Sequence, residues 1–189
     1  MTYPARTIGG DYFDFISLDN HKLAVCLGDV SGKGLPAALL MANLQASLRS
    51  QTYNGISVSE CISRCNRHLF QSTSPEKFAT LFYGILDVEK HTLTYCNAGH
   101  EPPFFMTAGR GPARFSEGGL VIYSDGVSEA MNGDREQFGE KRLLELLEKE
   151  RDATARELVD RVVQSVRTHA GTAPQYDDIT TLVVRRETA

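Results

Sequence analysis

Strand-like segments follow one another directly along this chain, and helical segments come in pairs between them. The predicted strands span residues 8–18, 22–29, 79–87, 92–97, 103–106, 120–124 and 179–184. The predicted helices begin near Pro36, Ser57, Arg142 and Thr154. This order is not a regular alternation of strand and helix, so it predicts an α+β fold with antiparallel sheets covered by helices.

Two helix starts carry capping boxes, Ser57 with Glu60 and Thr154 with Glu157. The first helix opens at Pro36, where the missing backbone N–H is tolerated. Its following residues are mostly apolar, which predicts a buried helix.

The composition is that of an ordinary globular protein, with 189 residues, 41% hydrophobic and 23% charged. We expect one domain over residues 1–189. The net charge of −4 argues against a nucleic-acid partner. There is neither a secretory leader nor an apolar stretch of membrane-spanning length, which predicts a cytoplasmic domain without membrane contact.

The cysteines lie in apolar patterns and are expected to be buried and reduced; they are Cys26, Cys61, Cys65 and Cys96.

Aspartates, most of them next to a glycine, lie at the edges of apolar runs, where strands would bring them to the rim of a sheet. They are Asp11, Asp29, Asp125 and Asp177, and Asp178 adjoins the last. Carboxylates gathered at one rim would bind one or two divalent cations. Each motif alone also fits an ordinary turn. Asp177 and Asp178 point to opposite faces of a strand, so one of them is expected to reach the site.

The glycine-rich loop after Asp29 leads into a helix, a place where backbone N–H groups can hold an anion. A nucleotide P-loop is excluded because Gly28 and Gly32 enclose too few residues and Gly34 follows Lys33. Gly32 and Lys33 are the candidate substrate-binding residues. The alternative for Lys33 is a solvated surface lysine.

The histidine in Asn97-Ala98-Gly99-His100 is not accompanied by a serine or cysteine nucleophile motif. A structural or supporting role for His100 is therefore expected.

Short motifs occur in one order: Gly-Gly-Asp at 9–11, Gly-Asp-Val-Ser-Gly-Lys-Gly at 28–34, Asn-Ala-Gly-His-Glu-Pro-Pro at 97–103, Ser-Asp-Gly-Val-Ser-Glu-Ala at 124–130 and Asp-Asp-Ile-Thr at 177–180. With this set the chain resembles, over nearly its whole length, the SpoIIE/RsbU branch of the metal-dependent Ser/Thr protein phosphatases, the PPM or type-2C superfamily. The resemblance implies a four-layer αββα sandwich with two antiparallel sheets and a binuclear Mn²⁺ or Mg²⁺ site.

The resemblance also implies roles for the residues. Asp29 matches the aspartate that bridges both metals, and the Val30 carbonyl matches a ligand to one of them. Asp11, Asp125 and Asp177 match further metal-binding and catalytic positions, with Asp178 ranked second to Asp177. Two such ions can share a water and lower its pKa, so that phosphate is hydrolysed without a phospho-enzyme.

The implied substrate is a phosphoserine or phosphothreonine protein, in this branch a phosphorylated anti-anti-sigma (STAS) protein. The implied output is control of a stress or developmental sigma factor. The resemblance further implies an upstream sensor domain, so the chain is expected to be a catalytic domain cut from a larger regulator. Two departures stand out: residues 115–120 are shorter than the family pattern, and the phosphate-binding arginine has Arg6 as its only candidate, by proximity.

Two alternatives remain open. One is a catalytically inactive domain that binds a phosphoprotein. The other is a nucleotidyl cyclase, because Gly9-Gly10-Asp11-Tyr12-Phe13 is similar to Gly-Gly-Asp-Glu-Phe, although a tyrosine stands in place of the glutamate.

Overall fold

The computed structural model describes residues 1–5, 8–107 and 118–185. The chain divides into two compact units. The N-terminal unit is Arg6–His100, and the C-terminal unit joins Met1–Ala5 to Glu101–Ala189. Among the described helices, none is both long and apolar enough to cross a membrane.

The N-terminal unit is an antiparallel sheet with a helical pair inserted between its second and third strands. The strands are β2 (Tyr12–Ser17), β3 (Lys22–Val30), β4 (Ala79–Asp87) and β5 (Thr92–Ala98), in the order β2-β3-β4-β5. The helices are α1 (Leu35–Thr52) and α2 (Val58–Ser72). Buried residues of both helices pack with those of the sheet in one core.

Two details of this unit differ from the sequence prediction. Strand β2 begins at Tyr12, because residues 8–11 form a bend before it. Helix α1 is not buried on all sides, since Leu35 and Leu39 are 63% and 65% exposed. These two leucines lie one turn apart on the face opposite the core residues Leu40, Leu44 and Leu48.

The C-terminal unit contains the second antiparallel sheet. Its strands are β1 (Thr2–Tyr3), β6 (Phe104–Thr107), β7 (Gly118–Tyr123) and β8 (Ile179–Arg185), in the order β1-β8-β7-β6. Its helices are α3 (Asp125–Ser128), α4 (Gly139–Lys149) and α5 (Ala155–Ala170). Strand β1 and helix α3 were missed by the sequence prediction because each is too short to show a hydrophobic period.

The helix starts follow the predicted caps. The Thr154 hydroxyl accepts from the Glu157 N–H, and the Glu157 carboxylate accepts from the Thr154 N–H, completing that box. The Ser57 hydroxyl accepts from the Glu60 N–H. The cysteines are free; Cys26, Cys61 and Cys65 are buried and Cys96 is half-buried, so the predicted reduced thiols are confirmed.

Candidate metal-binding and catalytic site

The end of strand β3 brings several oxygen atoms of the N-terminal unit together. Gly10 is buried there, and a Cβ atom on it would lie 3.1 Å from the Val30 carbonyl oxygen and 3.5 Å from Asp29 Oδ1. The backbone just before Asp11 therefore lies against Asp29 and Val30. Such a close approach favours glycine, which has no side chain to displace these oxygens.

The loop after β3 is held against the turn before β4. The Ser31 N–H donates to the Phe78 carbonyl at 2.9 Å, and the Phe78 N–H donates to Ser31 Oγ at 3.0 Å. Gly32 and Gly34 have φ values of +102° and +76°, which side chains rarely adopt. The loop is therefore anchored at Ser31 and turned sharply at both glycines, one on each side of Lys33.

Lys77 lies beside this loop, and sequence reasoning missed it. A Cβ atom on Gly32 would lie 3.0 Å from Lys77 Nζ. The feature that could have identified Lys77 is the antiparallel pairing of β3 with β4. Val30 pairs with Ala79, so the residues before Ala79 lie next to those after Val30. With Lys33, this places a second ammonium group at the loop.

Asp125 stands at the other candidate location, the end of strand β7 in the C-terminal unit. It is the first residue of α3, so it lies at a helix start rather than in a simple turn. The preceding Ser124 is fully buried, and its Oγ donates to the Asp178 carbonyl at 2.9 Å while accepting from the Thr180 N–H at 3.0 Å. These bonds tie the Asp125 turn to the start of β8.

The two adjacent aspartates before β8 have different surroundings. Asp178 is 6% exposed, and its Oδ1 accepts from the Ala5 N–H at 2.7 Å. Asp177 is half-buried, and its Oδ1 accepts from the Asp178 N–H at 3.0 Å. The Asp178 carboxylate thus holds the N-terminal segment in place, while the Asp177 carboxylate is the more accessible of the two.

Glu101 is affected by other carboxylates of this unit, Asp125 among them. Burial, and then the negative charges of Glu140, Asp125 and Glu129, raise the pKa of Glu101 above its ordinary value. The Tyr123 hydroxyl donates to Glu140 Oε1 at 3.1 Å. A region in which carboxylates oppose each other's ionisation attracts cations. Sequence reasoning did not single out this cluster, because its members are far apart along the chain.

The donors of both locations are hard oxygen atoms, which fit Mg²⁺ or Mn²⁺. Asp11, Asp29, Val30, Gly32 and Lys33 belong to the N-terminal unit, and Asp125, Asp177 and Asp178 to the C-terminal unit. Within the described part of the chain, no three His, Cys, Asp or Glu side chains form a group that could hold a metal ion. Carbonyl oxygens and water would therefore complete the coordination, as is common for these cations.

His100 makes hydrogen bonds that fit the structural or supporting role expected for it. It is 7% exposed, its Nδ1 lies 2.9 Å from Thr80 Oγ1, and its N–H donates to Asn97 Oδ1 at 2.8 Å. The Asn97 side chain also donates to the His100 carbonyl. The Asn-Ala-Gly-His motif thus closes the end of strand β5. Arg6, the other candidate from the sequence, lies outside the described residues.

Comparison with known families covers most of the chain. Residues 19–121 and 116–187 match the family described as stage II sporulation protein E (SpoIIE). The chain belongs to the SpoIIE family. This assignment confirms the resemblance and argues against a nucleotidyl cyclase.

Relatives of this SpoIIE-family domain include the phosphoserine phosphatase RsbU of Bacillus subtilis. It is 29% identical over 213 aligned residues, which cover 99% of this chain and 62% of RsbU. The chain therefore spans less than two thirds of RsbU.

Solved structures show the same fold. The RsbU and RsbW domains of Rv1364c from Mycobacterium tuberculosis match with a TM-score of 0.74 and 28% identity, over 94% of this chain and 55% of that one. The SiaA-PP2C domain of Pseudomonas aeruginosa matches with a TM-score of 0.87 and 16% identity, over 99% and 85% of the two chains. The α+β fold class with two antiparallel sheets is confirmed.

The comparisons also bear on the short segment near residues 115–120. The two family matches meet at residues 116–121. The alignment with RsbU has 213 positions against 189 residues here, so at least 24 positions of RsbU have no counterpart in this SpoIIE-family domain. The overlap of the two family matches at this point agrees with a shortened segment. Residues 108–117 lie outside the described part of the chain.

Proposed function

We propose that this chain is a metal-dependent phosphoprotein phosphatase that hydrolyses phosphoserine or phosphothreonine. The observation that carries the proposal is the backbone packing at each aspartate motif. Gly10 lies against Asp29 and the Val30 carbonyl, and Gly126 lies against the main chain of Asp178. The glycine in each motif therefore allows backbone and carboxylate oxygens to approach closely. The name of the relative RsbU, a phosphoserine phosphatase, supports the same activity.

Two divalent cations, Mn²⁺ or Mg²⁺, would be held by the carboxylates of Asp11, Asp29, Asp125 and Asp177 and by the Val30 carbonyl. Asp178 ranks behind Asp177, because the Asp178 side chain is buried against the N-terminal segment, where it accepts from the Ala5 N–H, whereas Asp177 is half-buried. When bound, such cations supply Lewis acidity toward water and phosphate and offset the charge of the reacting groups.

The protein's own groups bind and orient the phosphate. The loop at Gly32 and Lys33 offers backbone N–H groups and an ammonium, and Lys77 Nζ lies beside it. Two ammonium groups at one loop attract a phosphate dianion, and the bonds between Ser31 and Phe78 hold that loop in place. Lys77 is therefore a substrate-binding candidate together with Gly32 and Lys33.

The proposed substrate is a phosphorylated anti-anti-sigma protein of the STAS type. The support is the similarity to RsbU and to a protein in which RsbU and RsbW domains occur together. Sigma-factor control, an upstream sensor domain and a cytoplasmic location remain predictions.

The experiment that tests the activity is hydrolysis of p-nitrophenyl phosphate with and without Mn²⁺. The isosteric changes Asp29→Asn and Asp125→Asn should each lower kcat by at least about 100-fold, because they remove charged donors for the cations. Asp160→Asn, at an exposed position of α5, is the matched control and should keep full activity. Undiminished hydrolysis by both site variants, or in excess EDTA, would contradict the proposal.

Calorimetry with Mn²⁺ distinguishes the inactive alternative. A catalytic domain should bind Mn²⁺ and lose that binding in Asp29→Asn. A domain that binds a phosphoprotein but neither binds Mn²⁺ nor hydrolyses p-nitrophenyl phosphate would instead fit the phosphoprotein-binding alternative.

A further inference from the structure

A cavity of about 510 Å³ lies within the C-terminal unit, beside Asp177. It is bounded by the last turns of α5, by residues 129–131 and by residues 173–177. Its volume is within the range of roughly 300–1,000 Å³ found for ligand pockets. Of its lining residues, only Asp177 belongs to the proposed metal site, and none belongs to the loop at Gly32 and Lys33.

The interior of the cavity is largely apolar. Val166 and Ile179 are buried in its wall, Ala170 lies on α5, and Met131 is at the rim with 37% of its surface exposed. An apolar surface of this kind gains free energy when another apolar group displaces water from it.

Hydrogen bonds hold the walls in place. Gln175 Nε2 donates to the carbonyl oxygens of Tyr3 and Asp177, both at 2.8 Å. His169 Nε2 lies 2.9 Å from the Glu136 carbonyl oxygen, which ties the end of α5 to the segment following α3. The cavity is thus preformed, and a ligand that enters it loses little free energy to ordering of the protein.

The polar groups of the cavity point to a peptide. Glu129 and Asp177 are both in the lining, which disfavours an anionic ligand. Arg167, whose guanidinium carbon lies 4.3 Å from the centre of the Tyr3 ring, adds N–H donors suited to main-chain carbonyl oxygens. Gly126 and Asp177 also line it, so the cavity reaches the residue that follows Asp125.

We propose that this cavity is a specificity subsite, which binds an apolar side chain of the phosphoprotein close to the phosphorylated residue. The inference rests on the proposed phosphatase function. A leucine in such a subsite should bind better than an alanine by about 10-fold or more, because a larger apolar side chain buries more surface.

The test uses fluorescent peptides that carry a non-hydrolysable phosphonate analogue of phosphoserine, with leucine or alanine at each neighbouring position in turn. Binding to the 189-residue chain is measured by fluorescence anisotropy. At one position or more, leucine should lower the Kd by about 10-fold relative to alanine. Turnover of p-nitrophenyl phosphate, which has no peptide, is measured in parallel.

Ala170→Trp should fill the cavity and abolish the preference for leucine, while hydrolysis of p-nitrophenyl phosphate stays unchanged. Met131→Asp at the rim should weaken the same preference without adding bulk to the core. Gln164→Trp is the matched control, because it adds the same side chain to an exposed position of α5 outside the cavity.

Several results would contradict the proposed subsite. They are equal Kd values for leucine and alanine at every position, a leucine preference that survives in both cavity variants, or a preference lost equally in Gln164→Trp. Binding of small apolar molecules without any peptide preference would indicate a small-molecule site instead. Absent turnover with an intact leucine preference would contradict the phosphatase proposal and leave the subsite standing.

Discussion

Gly126 and Asp178 are in direct backbone contact: a Cβ atom at position 126 would lie 2.1 Å from the Asp178 carbonyl oxygen. The same carbonyl oxygen accepts a hydrogen bond from Ser124 Oγ. The turn that carries Asp125 is therefore positioned by the main chain at the start of β8.

Gly126→Ala should push the Asp125 turn away from the start of β8, because the added methyl group meets the Asp178 backbone, which cannot rotate away. We expect the free energy of unfolding to fall by about 1–3 kcal/mol, as at other overpacked sites. We also expect hydrolysis of p-nitrophenyl phosphate to fall sharply. Urea denaturation and turnover measure the two effects. Gly133→Ala is the control, since nothing lies within 4 Å of its Cβ position. Equal stability of the two variants would contradict the contact.

Lys77→Gln should raise KM for p-nitrophenyl phosphate by about 3- to 10-fold, because an exposed ammonium contributes about 1 kcal/mol to attraction of an anion. The effect should shrink at high salt, where such charges are screened. Steady-state kinetics at low and high NaCl measure it. Lys22→Gln, at the exposed end of β3 opposite this loop, should leave KM unchanged. A KM for Lys77→Gln equal to that of the control would exclude Lys77 from substrate binding.

The ion pair between Asp14 and Arg49 joins β2 to α1. Arg49 Nε donates to Asp14 Oδ2 at 2.5 Å and Nη2 donates to Oδ1 at 2.8 Å, and the Tyr12 hydroxyl also donates to Oδ2. Burial opposes ionisation of Asp14, but the hydrogen bonds from Arg49 and Tyr12 outweigh it and hold its pKa below the ordinary value. The folded state therefore favours the ionised carboxylate.

Asp14→Asn should lower the free energy of unfolding at pH 7 by about 1–3 kcal/mol, as for other hydrogen bonds to charged groups. The stabilisation by Asp14 is fully present above the unfolded-state pKa, near 3.8, and is lost as the pH falls through the lower folded-state pKa. The difference between wild type and variant should therefore narrow in acid. Urea denaturation at several pH values tests this, with Asp19→Asn at an exposed turn as the control. If the difference in unfolding free energy between wild type and Asp14→Asn stayed constant down to pH 2, this prediction would be wrong.

Cys61 illustrates how burial limits reactivity. Hydrogen bonding with Cys65 outweighs burial and lowers the pKa of the Cys61 thiol to about 7. Cys61 is nevertheless only 1% exposed. In native protein we expect Ellman's reagent to modify Cys96 first, and Cys26, Cys61 and Cys65 at the rate of unfolding. Cys96→Ser should remove the fast phase, and a fast phase that persists would show that a buried thiol is accessible.

Much of the fold could be predicted from the chain because each sheet is built from neighbouring segments. Strands at 79–87 and 92–97 are joined by a short turn, and the capping box at Thr154 starts α5 where its sequence indicates. The exposure of Leu35 and Leu39 could not be predicted, because an apolar pattern does not show which face of a helix meets the sheet.

Local sequence determined the ends of most strands, the helix caps and the identity of the candidate aspartates, since these depend on residues a few positions apart. The partners of those aspartates came from the folded chain: Gly10 against Val30, Lys77 beside Gly32, and Gly126 against Asp178. The same is true of the difference between Asp177 and Asp178, which depends on Ala5, 173 positions away from Asp178. Contacts over such separations follow from strand pairing and packing, and no short stretch of sequence encodes them.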